Sequence, residues 1–191
     1  MSMNKVAIFL ADGFEEIEGL TVVDIVRRAG VEIDTVSING RLEVNGSHGI
    51  NVKADKILAD INKDEYTMLV LPGGKVGTEN LEACDELLDL IGNFYGAGKY
   101  IAAICAAPSI FAHRGFLMGR KATSHPSFES HLEEGGAVVT HSPVEIDSGI
   151  ITGQGMGASI EFALTIVGIC AGREEAEKIA KAIVYHSPSF E

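Results

Sequence analysis

The chain has 191 residues, 46% of them hydrophobic and 22% charged, which is enough apolar material for a core of ordinary size and too little charge for a disordered chain. Its 15 basic and 27 acidic side chains give a formal charge of -12, which repels nucleic-acid phosphates and anionic membrane faces and argues against both as partners. The apolar run after Met1 to Lys5 is too short to span a bilayer and has no signal-peptide cleavage pattern behind it. Cys84, Cys105 and Cys170 form no CxxC pair, so the expected setting is the cytoplasm, with neither a disulfide framework nor a zinc knuckle.

Short runs of β-type apolar residues alternate with helix-period segments. This is the pattern of a parallel sheet covered on both faces, here expected as a single domain over residues 1–191. Val6 to Leu10 (VAIFL) reads as the first buried strand, and Glu16 to Ala29 as a helix closed by Gly30, whose missing Cβ suits a left-handed cap. Glu32 to Ile38 is a second strand. Leu42 to Ala54 carries Asn45-Gly46, a strong hairpin dipeptide, and reads as an antiparallel excursion. Met68 to Leu71 is the next buried strand, broken by Pro72-Gly73-Gly74. Glu79 to Phe94 follows as a helix with Leu81, Leu87, Leu88 and Ile91 toward one face. Tyr100 to Ile104 is a strand of small and apolar residues that runs into Cys105-Ala106-Ala107-Pro108 and a helix through Ala112. Lys121 to Ser124, Ala137 to Thr140 and Ile150 to Thr152 read as further short strands, with Asp147-Ser148-Gly149 as a turn. Ala158 to Ala171 and Arg173 to Tyr185 read as the last two helices.

Open parallel sheets bind and react at the carboxyl ends of their strands, where Asp12 to Glu18, Gly73-Gly74, Cys105 and His125-Pro126 fall. Cys105 is the sharpest candidate. A strand followed at once by a helix sets its thiol against unpaired N–H groups whose positive potential stabilises a thiolate, and Ala102, Ala103, Ala106 and Ala107 leave room for a strained elbow. A buried inert thiol is the equal alternative on context alone. Gly73-Gly74 offers backbone amides to a developing oxyanion, or is simply a turn. Glu15 and Glu16 read as complements to a helix N-terminus. Glu18 lies about 200° around the helix from Glu16, so one carboxylate can turn toward the sheet end, to hold or move a proton, while the other stays solvated. His125, kept extended by Pro126, is either an acid or base or a structural hydrogen-bonding residue. His48, His113, His131, His141 and His186 lack HxxxH-type spacing and indicate no metal site; Cys84 and Cys170, within expected helices, read as packing residues.

Five segments then carry a resemblance: ADGFEEIE at Ala11 to Glu18, VLPGG at Val70 to Gly74, AAICAAP at Ala102 to Pro108, SHP at Ser124 to Pro126, and ITGQGMGASIEFAL at Ile151 to Leu164. Over nearly its whole length the chain resembles the DJ-1/PfpI superfamily, and within it the DJ-1/ThiJ/YajL-type branch. The resemblance implies an α/β fold, a flavodoxin-like three-layer α/β/α sandwich with a mostly parallel sheet, usually homodimeric and without metal or organic cofactor. It implies Cys105 as an oxidisable nucleophile, Glu18 as its partner acid, His125 as the nearby histidine, and the amides of Gly74 and Ala106 as the oxyanion pocket. The implied activity is that of a cofactor-independent glyoxalase or deglycase acting on methylglyoxal, glyoxal or their early adducts with proteins. The same residues equally serve a redox sensor or chaperone, and a cysteine peptidase is a weaker third reading. Glu18→Gln is expected to raise the Cys105 pKa. Two stretches depart from the family pattern: Gly155-Met156-Gly157-Ala158 stands where GPGT is common, and the hairpin around Asn45 to Asn51 differs from that of better-known relatives.

Overall fold

The central strands carry two apolar faces, and the layers follow from them. The computed structural model describes residues 4–186 and opens with β1 (Lys5–Leu10), α1 (Glu16–Arg28), β2 (Glu32–Ser37), the short β3 (Glu43–Asn45), β4 (Asn51–Lys53) and β5 (Lys56–Ile57), then β6 (Met68–Leu71). Next come α2 (Lys75–Glu82), α3 (Asp85–Gly96), β7 (Tyr100–Ile104), α4 (Pro108–His113), β8 (Lys121–Ala122), α5 (Glu129–Glu134) and β9 (Val138–Val139). The last described elements are β10 (Val144–Asp147), β11 (Ile150–Gly153), α6 (Ser159–Ala171) and α7 (Arg173–Ala182). The 7-stranded sheet has the order β10-β11-β7-β6-β1-β2-β5, and only the β10–β11 pair is antiparallel. Val6, Ile8 and Leu10 pack with α1, α6 and α7 on one face, while Ala7, Phe9 and Ala11 pack with α2 to α5 on the other. A strand covered on both faces must be apolar throughout, which is why β1 reads as a continuous run rather than an alternation. The arrangement is the expected three-layer α/β/α sandwich. No helix among the described residues is long and apolar enough to cross a membrane.

Several expected elements differ in detail. The expected helix over Glu79 to Phe94 is two helices: Cys84 is extended (φ -95, ψ 94) and is the N-cap of α3, so it does not lie inside a helix. Asp85 and Glu86 follow in the first turn of α3, where acidic side chains favour the positive end of a new helix. The hairpin is present, but β3 pairs with β4 from Asn45 to Asn51, so Gly46 to Ile50 form a loop rather than a two-residue turn. That loop is drawn to the start of α1: Ser47 N–H donates to Phe14 O at 2.9 Å, and the Glu16 carboxylate occupies the space a Gly46 side chain would need. Only Lys121 and Ala122 of the expected Lys121 to Ser124 strand are in strand geometry, paired with β9 outside the main sheet. The β5 and β10 edge strands and α5 were not read from sequence, being two to six residues long with weak periodicity.

Candidate active site

Three central strands bring the site together. Glu18 follows β1, Gly73 and Gly74 follow β6, and Cys105 follows β7, three strands that are neighbours in the sheet. Cys105 turns the chain at φ 66, in the left-handed region that costs a non-glycine residue about 1–3 kcal/mol. Both of its backbone groups are held, since its N–H donates to Gly153 O at 2.9 Å and its carbonyl accepts from His125 N–H at 2.9 Å. The small, buried side chains of Ala106 and Ala107 let α4 begin immediately behind the turn.

Glu18, in the first turn of α1, is 1% exposed. Its Oε2 accepts from Gly73 N–H at 2.9 Å, Oε1 is buried with no hydrogen-bond partner in the structure, and the carboxyl interacts with the Cys105 thiol. A Cβ on Gly73 would lie 2.6 Å from Cys105 Cβ and 2.6 Å from Glu18 Oε2, so the thiol and carboxyl meet only because this residue has no side chain. Gly74, at φ 89, caps α2, and its amide and that of Ala106 hydrogen-bond the Cys105 sulfur.

The electrostatics of this pair correct one expectation. Burial pushes the Glu18 carboxyl up to about 7, and the charge of Glu15 adds to the rise against the hydrogen bonds from Cys105 and Gly73. Burial also pushes the Cys105 thiol up to about 12, with the charge and hydrogen bond of Glu18 adding and the Gly74 and Ala106 amides pulling down. The elbow therefore does not yield a free thiolate by helix-end potential alone. An ionised Glu18 keeps the proton on sulfur, which reverses the sign expected for Glu18→Gln. At rest the thiol keeps its proton beside the carboxyl, and when that proton passes to Glu18 the two amides are left to hold the sulfur's charge.

The other expected residues fall as follows. His125 adjoins Cys105 through its backbone, but its side chain is exposed and its Nδ1 accepts from Ser127 N–H at 3.2 Å. It is extended at φ -59, ψ 137, although not part of a strand. Its ring borders a groove of about 500 Å³ with Pro126, Pro143, Gln154 and the half-exposed Met156. Glu16 is not solvated as expected; it is 4% exposed. Burial works to raise its pKa, but its own amide, His48 and Ser47 hold it down at about 2. Donor atoms of Glu15, Glu16 and His48 lie within 4.8 Å of one another and could hold a cation, a grouping that sequence spacing missed because His48 comes from the hairpin loop. Ser47 Oγ lies 3.1, 3.0 and 2.9 Å from Glu15, Glu16 and His48, so an internal hydrogen-bond network already accounts for the cluster. Gly153 was missed altogether. It anchors Cys105, and a Cβ there would lie 2.8 Å from Ile104 Cγ1, but only the β7–β11 register reveals either fact.

The DJ-1/PfpI family model matches residues 4–169. Protein DJ-1 homolog B of Arabidopsis thaliana is 36% identical over 96% of this chain, which spans only 42% of that relative's length. The glutathione-independent glyoxalase DJ-1 of Schizosaccharomyces pombe is 29% identical over 95% of this chain and 98% of its own. The crystal structure of Drosophila melanogaster DJ-1beta superposes with a TM-score of 0.92 at 34% identity, covering 98% of this chain and 100% of that one.

Proposed function

The chain belongs to the DJ-1/PfpI family, and on that premise we propose that it is a cofactor-independent glyoxalase or deglycase acting on methylglyoxal, glyoxal or their early adducts. The observation that carries this reading is the contact of a buried carboxyl, raised to about 7, with a thiol held on a strained elbow under the Gly74 and Ala106 amides. A base near neutrality is suited to general catalysis at ordinary pH. The name of the S. pombe relative agrees with the activity.

In this mechanism Glu18 takes the thiol proton as Cys105 Sγ bonds to the aldehyde carbon, and the Gly74 and Ala106 amides hold the oxyanion until that proton reaches it. The product is a hemithioacetal. Glu18 then removes the hydrogen on the former aldehyde carbon as a proton and returns a proton to the adjacent carbonyl carbon, while the hemithioacetal hydroxyl gives up its proton and the adjacent oxygen takes one, which leaves a thioester of the hydroxy acid. Water cleaves the thioester, so methylglyoxal and water yield lactic acid and the thiol is restored. To His125, open to the groove, we assign the exchange of protons with solvent rather than with the sulfur itself.

The test is lactate formed from methylglyoxal in large excess over metal-free protein, comparing the parent chain with Cys105→Ala and Glu18→Ala. Many turnovers abolished by both substitutions support the enzyme. Stoichiometric loss of aldehyde without lactate favours the second reading, a redox sensor or chaperone in which the same amides and a protonated Glu18 stabilise an oxidised Cys105. Against a cysteine peptidase stands the engagement of His125 Nδ1 with a backbone amide, which leaves no place for an orienting carboxylate. The same proposal includes a reducing cytoplasmic setting, which suits three free cysteines, and a homodimer. Exposed Ile17, Leu20, Ile50 and Ile160, on α1, the hairpin and α6 around one shallow groove, are the apolar face offered to a second copy.

A further inference from the structure

The strained turn at Cys105 is held twice from β11. A non-glycine residue at φ 66 persists only where its surroundings over-determine it. The first hold is direct: Gly153 O accepts from Cys105 N–H at 2.9 Å. The second runs through the residue before Gly153. Thr152 Oγ1 accepts from Thr123 N–H at 3.0 Å, and two residues further on, His125 N–H donates to Cys105 O at 2.9 Å.

The segment that carries His125 lies outside the main sheet and is tied to it by side chains. The pairing of β8 with β9 covers Lys121 and Ala122 and stops before Thr123. Acceptors on β10 and β11 take over: Asp147 Oδ2 receives Lys121 N–H at 2.9 Å, and Thr152 Oγ1 receives that of Thr123. The segment's own hydroxyls do not replace these ties, since Thr123 Oγ1 is buried without a hydrogen-bond partner and Ser124 Oγ donates to the neighbouring His125 O at 3.2 Å. Thr123 and Thr152 are both buried, so bulk water is not at hand to stand in for a lost hydroxyl. Thr152 sits opposite Ala103 in the parallel β11–β7 register, a place that valine would fill as well. Its hydroxyl is therefore the part of the side chain that the strand itself does not require.

We propose that the Thr152 hydroxyl is a positioning group for the reactive thiol: by holding Thr123 it keeps the His125 amide on Cys105 O, so that Thr152 and Gly153 together clamp both backbone groups of the elbow. The consequence for turnover rests on the enzyme reading above; the clamp does not.

The test compares the parent chain with Thr152→Val, which keeps the shape of the side chain and removes the acceptor, and Thr152→Ser, which keeps the acceptor and removes the methyl. One unmet hydrogen bond is a fraction of a domain's stability, so both variants fold. Amide hydrogen exchange followed by NMR reads the clamp, with the amides of β1 reporting global opening. In Thr152→Val the Cys105 and His125 amides should exchange about tenfold faster relative to those of β1, and in Thr152→Ser the parental ratio should hold. With methylglyoxal, kcat of Thr152→Val should fall about tenfold while KM is kept, and Thr152→Ser should turn over like the parent. Unchanged exchange at both amides, exchange that quickens equally in β1, or a serine variant as fast as the valine one overturns the clamp. Lactate made by Thr152→Val at the parental kcat leaves the enzyme standing and removes the positioning role. Selective exchange in a chain that makes no lactate sinks the enzyme and leaves the clamp.

Discussion

Replacing Glu18 by glutamine removes a buried group whose ionisation the fold opposes, and the effect on stability can be worked from its shift. The carboxyl rises from an ordinary 4.5 to about 7 in the folded chain. Its folded pKa exceeds its unfolded one, so its contribution to stability is complete below about pH 4.5 and is lost as pH rises through about 7. Integrated from about pH 5.5 to about pH 8.5, the loss is about 2 kcal/mol, roughly a thirtyfold fall in the folding equilibrium. Glutamine stays neutral, keeps an oxygen for the Gly73 amide and turns an NH2 toward the sulfur. The assay is urea unfolding of parent and Glu18→Gln at both pH values, where ionisations common to the two chains cancel in the difference. The variant should gain about 2 kcal/mol on the parent between the lower and higher pH. A difference that stays constant or shrinks would show that Glu18 is ionised at little cost in the fold and that the pairing argument is wrong.

The same pairing predicts that Glu18→Gln lowers the Cys105 pKa, because the charge that holds the proton on sulfur is gone; iodoacetamide alkylation rates against pH should shift to lower pH, and a shift upward contradicts it. Gly73→Ala forces a methyl between thiol and carboxyl and should cut kcat/KM for methylglyoxal by about 100-fold, the usual penalty for displacing catalytic groups by about an ångström; near-parental kinetics would mean that the pair is not needed. His48→Ala frees Glu16 from a partner that helps hold it at about 2. Stability that Glu16 supplies above about 4.5 and loses as pH falls toward 2 should then fail earlier, moving the acid-unfolding midpoint seen by circular dichroism to higher pH. An unmoved midpoint would leave His48 a bystander.

How much of this was legible depended on whether the signal was local. The buried strands over Val6 to Leu10, Met68 to Leu71 and Tyr100 to Ile104 were readable because covered parallel strands are apolar without interruption, and their ends pointed to Glu18, Gly73-Gly74 and Cys105. The break at Cys84 was not, since Leu81 and Leu88 keep helical spacing across it. Glu16 looked like a solvated helix-end carboxylate because nothing near it announces a loop arriving from Ser47 and His48. The thiol's environment was misread for a related reason. A strand-to-helix junction advertises its unpaired amides in sequence, whereas the burial and the opposing charge come from another strand's loop.

The sheet order explains why the reactive pair hangs on one glycine. β6 lies between β1 and β7, so the segments carrying Glu18 and Cys105 leave the sheet about 10 Å apart, two strand spacings, with the Gly73 segment between them. Glutamate and cysteine side chains can meet across that gap only by reaching over the intervening backbone. Any Cβ at position 73 stands where they meet. The Gly73 amide, freed from side-chain bulk, instead serves as the donor that fixes Glu18 Oε2 on the side of the thiol. The length of the acid matters as much as its charge. Aspartate at position 18 would fall one methylene short of both the Gly73 amide and the sulfur, leaving a buried carboxylate without its donor and a thiol without its base.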